Sequence, residues 1–118
     1  MKKTICFDFD GVIHSYVSGW HGNAVIEDPP VPGIAQAIKD IREAGYEVII
    51  HSTRCKTAGG MSAIGNYLYK NGIEVDGCSA NKPPAIAYID DRAICFDGNA
   101  AGLLEKIETF RPWNSVTK

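Results

Sequence analysis

The chain reads as one α/β domain, a Rossmann-like parallel sheet with helices on both faces, and three observations predict it. Short apolar runs alternate with stretches of helical period along the whole length. Several of those runs end in acidic or hydroxyl residues, as strands do at the carboxyl edge of an open parallel sheet. At 118 residues there is material for one core and not for two.

The elements follow in order. TICFDF (4–9) is an apolar first strand. Residues 11–32 hold no sustained period and are punctuated by Gly19, Gly22, Pro29, Pro30 and Pro32, which marks a long loop. In 33–45, Ile34, Ile38 and Ile41 fall on one helical face with Ala37 and Ala44 beside them, and Gly45 suits the position just past the helix end. YEVII (46–50) is a buried strand. A second helix over 60–72 spaces Met61, Ile64 and Leu68 on one face and ends in Asn71-Gly72. Three short strands are expected at IEV (73–75), AIAYI (85–89) and AICF (93–96). A last helix over 100–110 buries Leu103, Leu104, Ile107 and Phe110. Residues 111–118 form a tail, with Trp113 docking back. No internal repeat or low-complexity segment is present.

Composition narrows the class. A hydrophobic content of 45% and a charged content of 22% are those of an ordinary globular domain. The formal net charge of -2 argues against a broad nucleic-acid-binding surface. Cys6, Cys55, Cys78 and Cys95 form no CxxC pair, so neither zinc nor dithiol chemistry is indicated, and Cys6 and Cys95 sit in apolar runs as small buried hydrophobes. No stretch reads as a signal peptide or a membrane span, so a soluble, reduced, cytoplasmic domain is expected.

Four polar interruptions carry the chemistry. Asp8 and Asp10 break the first strand, Ser52, Thr53 and Arg54 follow the second, Lys82 precedes a later strand, and Asp90-Asp91 ends AIAYI. In a parallel sheet these would meet along one edge. Carboxylates, a hydroxyl and a lysine together suit a hard cation such as Mg²⁺ and a phosphate, and a carboxylate can attack phosphorus. Gly11 permits a sharp turn and would bring backbone amides toward the phosphoryl group.

DFDGV, IIHSTR, the isolated Lys82 and YIDDRA resemble, in this order, the four motifs of the haloacid dehalogenase superfamily, over residues 5–99. The resemblance is to its small phosphatase-like members without a cap domain. It implies Asp8 as nucleophile and Asp10 as the acid that protonates the leaving oxygen and then deprotonates water. It also implies Ser52 as a phosphoryl contact, matched better than Thr53, and Lys82 as the neutralising cation. The Mg²⁺ site would comprise Asp8, the Asp10 carbonyl, Asp90 and Asp91, with Asp91 a direct ligand and Asp90 direct or water-mediated. Val12 stands where many relatives have Thr. The intervals between motifs leave no room for a cap. The site is therefore expected to be open, covered by the 15–32 loop or by another subunit of a homo-oligomer. Its substrate would be a nucleotide, a sugar phosphate or a nucleic-acid end.

Beside the motifs, Arg54 is a candidate for substrate contact or for pairing with an acid. Tyr16 and Trp20 are candidates for substrate stacking or for plugging the core. His14, His21 and His51 lack ligand-like spacing and are expected to be structural. A phosphoacceptor domain of receiver type and a metal-dependent nuclease use similar groups. In a receiver, however, the acid pair follows the first strand and the phosphoacceptor follows a middle one, whereas here DxD comes first and the Asp pair late.

Overall fold

The computed structural model describes residues 2–116. Four strands, β1 (Thr4–Asp8), β2 (Glu47–His51), β3 (Gly77–Ser79) and β4 (Ala87–Ile89), form one sheet in the order β3-β2-β1-β4. Every pairing is parallel, with Phe7 opposite Ile50 and Ile89 and with Cys6 opposite Ile49 and Tyr88. The helices are α1 (Ile34–Glu43), α2 (Ala58–Lys70) and α3 (Leu103–Thr109), and a 3₁₀ turn spans Thr53–Lys56. This is the α/β class expected from the alternation.

The core follows the pleat. Val48 and Ile50 of β2 alternate with less buried neighbours, and with Phe7 of β1, beside which Cys6 is buried as well, they join Ile38 of α1 and Ile64, Tyr67 and Leu68 of α2 in one cluster. The loop contributes as well: Phe9, Ile13 and Tyr16 are buried, so residues 9–16 are a folded part of the core. α2 starts on a side-chain cap, Thr57 Oγ1 accepting the Gly60 amide at 3.0 Å. Gly60 is required there, because a Cβ would lie 2.8 Å from the Arg54 carbonyl carbon and would also overlap Asn23 Nδ2.

Four expectations are corrected. IEV (73–75) is not a strand. The Ile73 amide closes the end of α2 on Leu68 O, and Asp76 takes up both backbone groups of Val48, so β3 pairs only from Gly77 onward. AICF (93–96) joins no strand; Cys95 and Phe96 are exposed, and β4 remains the sheet edge among the described residues. Cys95 is therefore no core residue, whereas Cys6 is. Burial pushes the thiols of Cys6, Cys55 and Cys78 upward, Cys78 to about 11, which leaves them protonated and inert. α3 buries none of its residues, and Leu104 and Ile107 lie mostly in solvent. Among the described residues, no strand forms at 93–96 for its amphipathic face to pack on.

The tail docks as expected over residues 113–116; residues 117 and 118 lie outside the described residues. Trp113 Nε1–H donates to Gly11 O at 2.6 Å, Asn114 Nδ2–H donates to Ser15 O at 3.0 Å, and the Arg92 guanidinium donates to Val116 O. Residues 113–116 thus tie the turn after β1 to the segment after β4.

Candidate active site

Because all four strands are parallel, their carboxyl ends share one edge, and three acids from two of those ends converge there. Asp8, Asp90 and Asp91 each present a carboxylate oxygen within 4.8 Å of the others. Asp91 is held by packing: its side chain is 1% exposed, 3.9 Å from Arg92 Nε, and seated against Gly11. Gly11 has φ 90, and a Cβ on it would lie 2.6 Å from Asp91 Cγ and 3.1 Å from Oδ1, so only glycine admits the carboxylate this close. Asp90 is exposed and accepts the Arg92 amide at 2.8 Å. An all-oxygen set of this kind fits a hard divalent cation such as Mg²⁺.

Asp10 points elsewhere. Arg54 donates to it twice, Nε–H to Oδ2 at 2.9 Å and an Nη2–H to Oδ1 at 3.1 Å. His14 Nδ1 lies 2.8 Å from Oδ1. The Asp28 amide donates to His14 Nε2 at 3.1 Å, so Nε2 is the acceptor and Nδ1 carries the hydrogen given to Asp10. Burial alone would raise the Asp10 carboxyl, but the hydrogen bonds from His14 and Arg54, with the charge of Arg54, outweigh it and hold the group below its ordinary value. A proton donor needs the opposite shift. His14 has the structural role expected of it, and its spacing of four from Asp10 was the one available signal for this pair.

Arg54 does not face a substrate. It is fully buried, and beyond Asp10 its Nη1 donates to Gly22 O, Asn23 O and Val25 O at 2.8–3.1 Å. Of its two expected roles it takes the pairing one and pins the loop through which the chain leaves β1.

A pocket of about 400 Å³ opens beside the carboxylates, lined by Asp8, Asp10, Tyr16, Trp20, His51, Ser52 and Thr53. Ser52 Oγ caps the 3₁₀ turn by accepting the Arg54 amide at 3.2 Å, which leaves its hydroxyl hydrogen available as a donor. Thr53 is exposed at the rim. Tyr16 is 2% exposed and belongs to the core, while Trp20 is 50% exposed with Arg54 Cζ 4.6 Å from its ring centroid. Lys82 is exposed and lies 4.2 Å over the Tyr88 ring, outside the pocket lining. Gly11 does not offer its amide to a ligand: it donates to His14 O at 2.7 Å, and the amides of Val12, Ile13 and His14 all point to Phe9 O. The amides of Gly11, Val12, Ile13 and His14 are thus spent within the turn, and Gly11 admits Asp91.

Two larger depressions, of about 550 and 590 Å³, lie by Lys39 and Arg42 of α1 and between the loop and α2, away from these acids. No helix among the described residues is long and apolar enough to cross a membrane. Comparison of the chain with protein-family models, curated proteins and solved structures finds no match in any of the three.

Proposed function

We propose that this chain is a Mg²⁺-dependent phosphomonoester hydrolase that works through an aspartyl-phosphate on Asp8, as a small member of the haloacid dehalogenase superfamily without a cap domain. The observation that carries the reading is the meeting of Asp8, Asp90 and Asp91 within 4.8 Å at the carboxyl edge of a parallel sheet, beside a pocket that Ser52 also lines. A bound Mg²⁺ would neutralise charge on the phosphoryl oxygens. It would be held by Asp8, Asp90 and Asp91.

In this reading an Asp8 oxygen forms a bond to phosphorus as the bond to the leaving oxygen breaks. Ser52 donates a hydrogen bond to a phosphoryl oxygen. Water then attacks phosphorus, releasing phosphate and regenerating Asp8. Asp10 is held ionised by Arg54 and His14, so in the second step it can take the proton of the attacking water only as a weakened base. It is poorly placed to protonate a leaving group in the first. Esters with good leaving groups should therefore react faster than alkyl esters.

The test is turnover of an aryl phosphate with and without Mg²⁺, in the wild type and in Asp8→Asn. We expect metal-dependent turnover that Asp8→Asn abolishes; wild-type turnover in that variant would overturn the nucleophile. The engaged state of Asp10 favours one second reading, a phosphoacceptor domain whose Asp8 accepts phosphate and releases it slowly. A single equivalent of hydroxylamine-sensitive label without turnover would select it.

A further inference from the structure

The two residues that hold Asp10 also back two aromatic rings. Arg54 lies 4.6 Å under Trp20, and His14 meets Tyr16 edge-on with ring centroids 5.8 Å apart. Both aromatics line the pocket that Asp8 borders. Trp20 has a firm footing, because the guanidinium beneath it is fixed by Asp10 and by three loop carbonyls. Its ring is half exposed even so, which excludes the core-plug role and leaves apolar area at the mouth of the pocket.

We infer that this pocket is a ring-binding subsite and that the substrate class is a nucleoside monophosphate unit, free or at the end of an oligonucleotide, with its base stacked on Trp20 and its phosphate at Asp8. The inference rests on the phosphatase reading and names its substrate. Three observations favour this class over other phosphate esters. A volume of about 400 Å³ lies within the range of small-ligand sites, more than a phosphoryl group needs. No lysine or arginine is among the residues lining the pocket to meet a second phosphate: the Arg54 charge is taken by Asp10, and Lys82 lies over Tyr88. Trp20 offers the pocket an exposed aromatic surface, which suits a planar ring better than a chain of hydroxyls. The loop carrying Trp20 takes the place of a cap, with its position fixed by Arg54.

The test measures binding of a nucleoside monophosphate, ribose 5-phosphate and inorganic phosphate to the Asp8→Asn protein with Mg²⁺, so that turnover does not intervene. Base stacking predicts that the nucleotide binds more tightly than ribose 5-phosphate by about ten- to a hundredfold. Trp20→Ala should collapse that ratio toward one, while Trp20→Phe, which keeps a stacking face and the packing on Arg54, should preserve most of it. Quenching of tryptophan fluorescence by the nucleotide, lost in Trp20→Phe, reports the stack directly. Tighter binding of a 5′- or 3′-phosphorylated oligonucleotide identifies a chain end as the source, and equal binding identifies the free nucleotide. Equal affinity for nucleotide and ribose 5-phosphate in the Asp8→Asn protein overturns the subsite and leaves the phosphatase reading standing. If none of the three ligands binds, either to this variant or to the wild type, the phosphate site itself fails, and the subsite with it.

Discussion

Replacing Gly11 by alanine isolates the contact that seats Asp91. The residue has φ 90, where an L side chain costs about 1–2 kcal/mol. The new methyl would also lie 2.6 Å from Asp91 Cγ, which must move out to an ordinary contact of 3.4 Å. Forcing extra volume into a packed site costs about 1–3 kcal/mol more. The three atoms nearest the methyl all belong to Asp91, so this second cost should vanish once that side chain is cut back. Urea unfolding of the four proteins of the cycle, in the presence of a chelator, measures both parts. Gly11→Ala should cost about 2–5 kcal/mol in the wild type and about 1–2 kcal/mol in an Asp91→Ala background. Mn²⁺ affinity, measured by calorimetry, should fall in Gly11→Ala although no ligand has been removed. An equal cost in both backgrounds would refute the claim that Gly11 exists to admit Asp91.

Three further outcomes follow from the same network. Trp113→Phe keeps the ring and removes the N–H that holds Gly11 O, so it should cost about 1 kcal/mol and loosen the turn against Asp91; metal affinity unchanged from wild type would show that the tail does not support the site. Asp10 is held below its ordinary pKa, so the unfolded chain binds more protons than the folded one in acid; this stability should be complete above about pH 5 and drain away as pH falls through the unfolded value of about 3.9 toward the folded one. Arg54→Met should lower stability by about 3–5 kcal/mol by stranding a buried carboxylate, and acid unfolding profiles in which it loses nothing would refute the pairing.

The sequence by itself determined the elements whose burial is written in a local period. ICF (5–7) and VII (48–50) are continuous apolar runs bounded by polar residues, and Ile38, Ile64 and Leu68 recur at helical spacing, so β1, β2, α1 and α2 were legible from one-dimensional pattern alone. The convergence of Asp8, Asp90 and Asp91 was legible too, because parallel strands place their carboxyl ends on one edge wherever the intervening loops run. What only the tertiary structure decided were the pairings over distance. AICF and the last helix have the pattern of buried elements, yet burial needs a partner surface, and among the described residues Cys95, Phe96, Leu104 and Ile107 are left exposed. Arg54, forty-four positions from Asp10, reads equally well as a substrate contact; its full burial between that carboxylate and the carbonyls of Gly22, Asn23 and Val25 gives it the other role. Gly11 offered amides by its type, but whether an amide is free depends on what its neighbours have already bonded, and here His14 O takes it. A side chain's chemistry can be read from its letter, but its protonation and availability are set by the groups that fold around it, as His14 and Arg54 do around Asp10.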